Sequence, residues 1–146
     1  MKFSEMKYER PDMEKIGAEY EKLTLAVKNA TEPQQVIDAI LEHEKLIKTV
    51  YNADSIMNVR HEINTEDEFY KAENDFFDSA LPLFQEKYTP FINALLESKF
   101  RPQAQERFGE LLFVNAELEA KTFKPEIIDL LQQENKLVSD YARLMA

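Results

Sequence analysis

Apolar residues recur along the chain at intervals of three and four, the spacing that places them on one face of an α-helix. Residues 1–10 lack this pattern and read as an irregular lead-in. Pro11 and Asp12 then predict a first helical turn, because proline needs no amide partner there and aspartate favours the positive end of the helix dipole. This helix is expected to end near Asn29, and its apolar stripe consists of Met13, Ile16, Tyr20, Leu23 and Val27.

A second helix is predicted to follow Thr31, which we interpret as its N-cap, with Pro33 in the first turn. Neither glycine nor proline occurs in residues 34–63, so one long helix is expected to continue through Val59. Its stripe includes Val36, Ile37, Ile40, Leu41, Ile47, Val50 and Tyr51.

The third helix has the sharpest start signal, a capping box formed by Thr65 and Glu68. Its stripe is interrupted by Pro82 and Pro90. A proline inside a helix removes a hydrogen bond and kinks or breaks the helix. We therefore predict two consecutive segments bent near residues 80–90, followed by a turn at residues 98–101.

Two further helices complete the pattern. One is predicted to start at Pro102 and to carry Leu111–Val114, a run that is apolar all round and is typical of a helix buried on several sides. The last begins at residues 122–125, with Ile127, Leu131, Val138, Tyr141 and Met145 on one face. The predicted fold class is all-α: several long antiparallel helices, one kinked at proline, form a bundle or layer. Residues 1–146 are expected to be a single helical domain.

Composition agrees with a folded helical protein. Of the 146 residues 44% are hydrophobic and 32% are charged, and only two are glycine, which disfavours a hairpin-rich β-protein. The net charge of −10 repels nucleic-acid phosphates and anionic lipids, so neither a nucleic acid nor a membrane is expected as a partner. The chain has no cysteine, and its first residues lack the apolar run of a signal peptide. A cytoplasmic location is therefore expected.

The sequence contains few motifs that indicate catalysis or metal binding. His43 and His61 are each followed by glutamate, but a zinc-binding His-Glu-x-x-His motif would need histidine at Ile47 or Thr65. The glutamate of the di-iron Glu-x-x-His element is missing as well. Neither a local Ser/His/Asp pattern nor a glycine-rich phosphate loop is present. We predict structural roles for both histidines and no catalytic, cofactor-binding or metal-binding residue, so this chain alone is expected to be inactive.

Two carboxylates lie inside predicted apolar stripes. A buried carboxylate must be paired or neutralised, because its uncompensated burial costs several kcal/mol. We expect Glu73 to pair with Arg60 or His61 across the turn at residues 64–65, the alternative being a solvated residue at the edge of the stripe. Glu134 has no evident partner and is expected to be peripheral.

Three stretches of the sequence resemble the N-terminal region of oligoendopeptidase F-type zinc metallopeptidases, which are relatives of thimet oligopeptidase. They are FSEMKYERPD at residues 3–12, VRHEINTEDEFYKAENDFF at residues 59–77, and KTFKPEIID at residues 121–129, which leads into ENKLVSDY at residues 134–141. Together they span nearly the whole chain in one register.

This resemblance implies a helical region that precedes a catalytic domain and forms part of the wall over a deep substrate channel. Enzymes of this family cut short peptides in the cytoplasm. They bind zinc through His-Glu-x-x-His and a downstream glutamate, and the glutamate of the motif activates water. These ligands are expected beyond this sequence, so the resemblance implies a C-terminal catalytic domain as partner and assigns no catalytic residue here. Leu111–Val114 and Tyr141–Met145 are the expected docking surfaces for that domain.

The alternative hypothesis is a stand-alone acidic helical module that acts by binding a partner protein. Such a module predicts a compact monomer or defined dimer that melts cooperatively and holds no metal. An N-terminal region of a larger peptidase instead predicts exposed apolar surface, detectable as self-association or dye binding.

Overall fold

The computed structural model describes residues 3–145, which form six α-helices and two short 3₁₀ turns. The predicted all-α fold class is confirmed. The helices are α1 (Met13–Lys28), α2 (Pro33–Ile63), α3 (Glu68–Glu97), α4 (Arg101–Phe108), α5 (Glu110–Thr122) and α6 (Ile128–Met145). The 3₁₀ turns are Phe3–Glu5 and Pro125–Ile127.

Helix α3 is the centre of the bundle and packs against each of the other five helices. Helices α1 and α2 also pack against each other, and α4 bridges α2 and α5. Several of the largest core side chains, among them Tyr20, Ile40 and Val50, come from the predicted stripes, and fully burying each one contributes roughly 1.5–3 kcal/mol. The largest fully buried side chains are Tyr20, Val36, Ile40, Val50, Met57, Phe77, Phe91, Leu95 and Phe113.

Helix α2 starts one residue later than predicted, with Glu32 rather than Thr31 as the N-cap. The side-chain oxygen of Gln35 accepts hydrogen bonds from the backbone N–H groups of Thr31, at 2.7 Å, and of Glu32, at 3.3 Å. A glutamine three residues into a helix can satisfy these amides as well as the usual capping side chains do. The prediction that α2 continues past Val59 is confirmed.

Helix α3 also has a different cap, because Asp67 rather than Thr65 precedes its first turn. The Asp67 carboxylate accepts hydrogen bonds from the backbone N–H groups of Phe69, at 2.9 Å, and Tyr70, at 3.3 Å. Aspartate adds a negative charge at the positive end of the helix dipole, an advantage that threonine lacks. The predicted capping box at Thr65 is therefore wrong.

Helix α3 continues through both Pro82 and Pro90, so the predicted division into two segments at residues 80–90 is wrong. Pro82 has no N–H to give to the carbonyl of Asp78, one turn earlier. The side-chain amide of Asn135, from α6, donates to that carbonyl at 3.1 Å instead. A polar residue distant in sequence thus satisfies the group that the proline leaves free.

Gly109 separates α4 from α5, where the sequence predicted one helix from Pro102. Its φ of 88° lies in the left-handed region, which glycine enters without the steric cost that a Cβ imposes. The chain changes direction there, and the eight-residue α4 packs between α2 and α5.

The two glycines are expected to respond to alanine with opposite signs. Gly109→Ala should destabilise the chain by about 1–2 kcal/mol, because an alanine is strained at the positive φ of this position. Steric clash plays no part, since a Cβ at Gly109 would meet no atom within 4 Å. Gly17→Ala should stabilise the chain by about 0.5–1 kcal/mol, since Gly17 lies inside α1 and its Cβ would touch only the Lys87 side chain, at 3.6 Å. Urea denaturation of both variants measures the difference. Equal shifts of the same sign would contradict it.

Candidate functional site

Helix α6 packs against α3 through its polar face. Gln132 donates from its side chain to the backbone carbonyl of Ser79 at 2.7 Å, one residue after the carbonyl that Asn135 contacts. The Ser139 hydroxyl donates to the Asp78 carboxylate at 2.7 Å. Gln132, Asn135 and Ser139 recur at helical spacing, so one face of α6 carries these contacts.

Charge strengthens the same interface one turn further on. The Arg143 guanidinium donates to the carboxylates of Asp75, at 2.5 Å, and Asp140, at 3.2 Å. The Asn74 amide, which is buried, donates to the Ser139 hydroxyl at 3.0 Å. No residue of α6 is fully buried, so hydrogen bonds and ion pairs, together with the half-buried Ile128 and Leu131, attach this helix to the bundle.

The apolar face of α6 consequently points away from the bundle. We use "α6 apolar face" for Leu130, Leu137, Val138, Tyr141 and Leu144, which are between 63% and 84% exposed. The residues of the predicted stripe from Ile127 to Met145 differ in exposure: Ile127 and Leu131 are half-buried, whereas Val138, Tyr141 and Met145 are exposed. A helix with so distinct an apolar stripe normally buries it.

Helix α5 shows a second, smaller exposed strip. Leu111, Val114 and Leu118 are exposed, whereas Phe113 and Ala116 are buried against α3 and its neighbours. The prediction that Leu111–Val114 is buried on several sides is therefore wrong. Both segments named as docking surfaces from the sequence nevertheless present apolar side chains at the surface.

Glu73 is buried, with 4% of its surface exposed, and it is paired as expected. Its partners are Arg10 and Tyr8 of the N-terminal segment, not Arg60 or His61. The Arg10 guanidinium donates from Nε at 2.9 Å and from Nη2 at 2.5 Å, and the Tyr8 hydroxyl donates to the same carboxylate. Hydrogen bonding from Arg10 lowers the pKa of Glu73 below its usual value.

Arg60 instead holds the backbone of the N-terminal segment. Its guanidinium donates to the Met6 carbonyl and to the Tyr70 hydroxyl, each at 2.5 Å. The Tyr8 ring packs edge-on against Phe69 and Tyr70, at 6.0 and 5.9 Å between centroids. Residues 3–10 are thereby attached to the start of α3 by hydrogen bonds, an ion pair and aromatic contacts. Glu134 is exposed, as expected.

The two histidines have different surroundings and lie about five helical turns, or roughly 27 Å, apart on α2. His43 stacks on Phe91 at 4.9 Å between ring centroids, and its Nδ1 lies 2.9 Å from the Tyr20 hydroxyl. Burial lowers the pKa of His43 to about 4. His61 is buried at the end of α2, and its Nδ1 has no hydrogen-bond partner within the part of the chain that the structure describes.

Neither histidine fits a catalytic zinc site, which needs three protein ligands around one ion. Their separation prevents joint coordination, and within residues 3–145 no three His, Asp or Glu side chains converge as metal ligands. Residues 3–145 thus offer no donor set for zinc. Among the same residues, no helix combines the length and apolar character needed to cross a membrane.

The bundle leaves one apolar helix face exposed, and comparison with known proteins identifies the class of domain. Residues 3–123 match the model of the peptidase M3 N-terminal domain. The chain belongs to this family, a domain of metallopeptidases. No curated protein sequence matches the chain.

Three solved structures are similar over nearly the whole chain. PZ peptidase A, determined with an inhibitor, is 39% identical with a TM-score of 0.92 over 96% of this chain. A protein described as an oligoendopeptidase F is 36% identical, with a TM-score of 0.91 over 97% of this chain. Another oligoendopeptidase F, from Bacillus anthracis strain Ames, is 33% identical, with a TM-score of 0.92 over 97% of this chain. The chain covers 25%, 25% and 26% of these proteins, or about a quarter of their length. The resemblance noted in the sequence is confirmed.

Sequence reasoning missed the residues that dock α6. The available signal was the spacing of Gln132, Asn135 and Ser139, all small or medium polar residues on the side of α6 opposite its apolar stripe. Pro82 was the complementary signal, because a proline inside a helix leaves a carbonyl for another donor. Only the tertiary structure shows that the polar residues of α6 lie beside the carbonyl that Pro82 leaves free.

Proposed function

We propose that this chain is the N-terminal helical region of a zinc metallo-oligopeptidase that hydrolyses short peptides in the cytoplasm. In this proposal the helices form part of the wall of the substrate channel, and zinc-dependent hydrolysis takes place in a catalytic domain outside this chain. The similarity to about a quarter of three peptidase structures supports it. The sequence also contains no cysteine, which is compatible with a reducing compartment.

The direction of the α6 apolar face carries the proposal. Helix α6 lies beyond residue 123, where the family match ends, and it turns its polar side toward α3. Its apolar side needs a partner from outside the bundle, because exposing large apolar side chains forgoes roughly 1.5–3 kcal/mol for each. We assign that role to the remainder of a longer peptidase.

A helical wall selects substrates by access rather than by chemistry. Close-packed helices such as α1 to α3 resist deformation, so a channel bounded by them admits extended peptides and excludes folded proteins. Excluding bulk water from the reacting groups is a further benefit of such enclosure. Neither task requires a catalytic side chain from this region.

The coding sequence beyond Ala146 provides the most direct test. We expect an open reading frame that contains a His-Glu-x-x-His motif followed by a further glutamate. A stop codon directly after Ala146 would contradict the proposal and favour the stand-alone interaction module.

A single substitution on the α6 apolar face should distinguish a docking surface from an ordinary exposed helix. Tyr141→Glu is expected to destabilise the longer peptidase by about 2 kcal/mol or more, because it places a charge in an apolar contact. In the 146-residue chain the same change should leave urea denaturation unaltered and reduce binding of an apolar dye. Ala142→Glu, which adds the same charge at an exposed neighbouring position, is the matched control. Equal effects of the two substitutions in the longer peptidase would overturn the assignment.

A further inference from the structure

A cleft of about 200 Å³ opens between α2 and α5, with α3 as its floor. Pockets that hold drug-sized molecules run to roughly 300–1,000 Å³, so this one suits a single side chain. Its walls are mainly aliphatic, from Ile40 of α2, Ile92 and Leu95 of α3, and Leu112 and Ala116 of α5. Three polar residues also line it, namely His43, Asn115 and Glu119.

Glu119 is the unusual member of this lining because its carboxylate has no cationic partner among residues 3–145. One carboxylate oxygen accepts hydrogen bonds from the Tyr88 hydroxyl and, at 3.4 Å, from the Gln85 amide, and both donors are neutral. None of the ion pairs formed within residues 3–145 includes Glu119. A partly buried carboxylate is stabilised more by a cation than by neutral donors.

The Glu119 charge contributes to raised pKa values of three tyrosines near the cleft. Burial, together with the hydrogen bond to Glu119 and its negative charge, raises the pKa of Tyr88. The same charge adds to the effect of burial in raising the pKa of Tyr20 and of Tyr51. The negative potential of Glu119 therefore extends into the core beside the cleft.

His43 does not supply the missing cation. Burial lowers its pKa to about 4, so its ring is neutral at neutral pH. The ring is also occupied by stacking on Phe91 and by the hydroxyl of Tyr20. The cleft thus combines aliphatic walls, a neutral imidazole and one negative carboxylate.

We propose that this cleft binds the side chain of an arginine residue of a peptide, with the guanidinium on the Glu119 carboxylate. The methylene stem of arginine fits aliphatic walls while its charged head bonds to a carboxylate, a division that is common for this residue. The Asn115 side chain at the exposed rim offers a second acceptor for the guanidinium N–H groups. The net charge of −10 adds a long-range attraction for a cationic ligand. This site is independent of the proposed function, since it needs only the 146 residues present.

Titration of the ¹⁵N-labelled 146-residue chain with a capped Gly-Arg-Gly peptide tests the proposal. We expect saturable amide shifts confined to the residues of α2, α3 and α5 that line the cleft. The same peptide with citrulline, a neutral isostere of arginine, should bind at least tenfold more weakly. Equal affinity for both peptides, shifts spread over the acidic surface, or no saturable shift would each overturn the proposal.

Variants of two neighbouring glutamates make the test specific to the cleft. Glu119→Gln keeps the side-chain shape and an acceptor for Tyr88, and it should weaken binding of the arginine peptide at least tenfold. Glu117→Gln removes a charge from the same helix at a half-buried ion pair with Arg101, outside the residues that line the cleft, and binding should remain within twofold of wild type. If Glu119→Gln fails to fold, Leu112→Trp, which fills the cleft from a half-buried wall position, should abolish binding. Undiminished binding by Glu119→Gln or, if that variant does not fold, by Leu112→Trp would contradict the proposed site.

Discussion

Lowering the pH from 7 to 4 is expected to reduce the free energy of unfolding of the wild-type chain by roughly 3 kcal/mol more than that of a His43→Gln variant. Burial lowers the pKa of His43 to about 4, whereas an unfolded histidine has a pKa of about 6.5. Between these pH values the unfolded chain binds a proton that the folded chain does not, so acidification favours unfolding. Each pH unit between the two pKa values contributes about 1.4 kcal/mol.

Urea denaturation of both proteins at pH 7, 6, 5 and 4 measures this difference. Glutamine is suitable because it does not titrate and can still accept a hydrogen bond from Tyr20. Asp54 and Asp78, whose pKa values are raised by burial, stabilise the folded chain as the pH falls. Glu73, whose pKa is lowered, has the opposite effect. Both proteins share these contributions, so parallel pH curves would show that His43 does not carry the effect.

Replacement of Arg10 by alanine is expected to lower the free energy of unfolding by about 2 kcal/mol at pH 7. The change leaves the buried Glu73 carboxylate with the hydrogen bond from the Tyr8 hydroxyl and removes the guanidinium from the face of Phe76, 4.3 Å away. Breaking a fully buried ion pair costs about 3–5 kcal/mol. The expected loss is smaller here because the Arg10 side chain is half exposed, so that solvent already screens the pair.

Two further variants separate geometry from charge. Arg10→Lys keeps the positive charge but loses the two-point hydrogen bond, so it should recover only part of the loss. Arg107→Ala removes an exposed arginine that forms no ion pair within the described residues, and it should change stability by less than about 0.5 kcal/mol. Urea denaturation gives the three free energies, and hydrogen exchange of residues 3–10 reports whether the segment detaches. Wild-type stability and exchange in Arg10→Ala would contradict a stabilising role for the pair.

Both predictions concern polar groups that the bundle has buried beside its aromatic core. His43 and Glu73 belong to different helices, and each is held by a residue more than twenty positions away in the sequence. Their energetic effects therefore report tertiary packing rather than local helix stability. The same holds for Glu119, whose neutral donors Gln85 and Tyr88 come from α3.

Local sequence patterns were sufficient to locate most of the helices, because helical periodicity is a property of neighbouring residues. The stripes of α1 and α2 supplied Tyr20, Ile40 and Val50 to the core as expected. Boundaries were less accurate: the caps of α2 and α3 differ from the predicted residues by one or two positions. The break at Gly109 was missed because a single glycine is compatible with a helix as well as with a turn.

The sequence was sufficient to predict that Glu73 is buried and paired, but not to identify its partner. The position of Glu73 within an apolar stripe indicated burial and hence a basic partner. Its actual partner, Arg10, is 63 residues away and lies in a segment without any helical pattern. Nearby Arg60 and His61 were the wrong candidates, because proximity along a chain does not establish proximity across a bundle.

Helix α6 shows most clearly which features the sequence determines and which depend on the tertiary structure. Its alternation of apolar and polar residues specifies an amphipathic helix, since side-chain direction follows from the helical repeat alone. Which face turns toward the bundle depends on what α3 offers, and Pro82 frees a carbonyl there that Asn135 satisfies. Hydrogen-bond donors and acceptors must be paired wherever they are shielded from water, so α6 docks by its polar face and leaves Leu137 and Tyr141 exposed. That orientation follows from the arrangement of helices in space, and the periodicity of one segment contains no information about this arrangement.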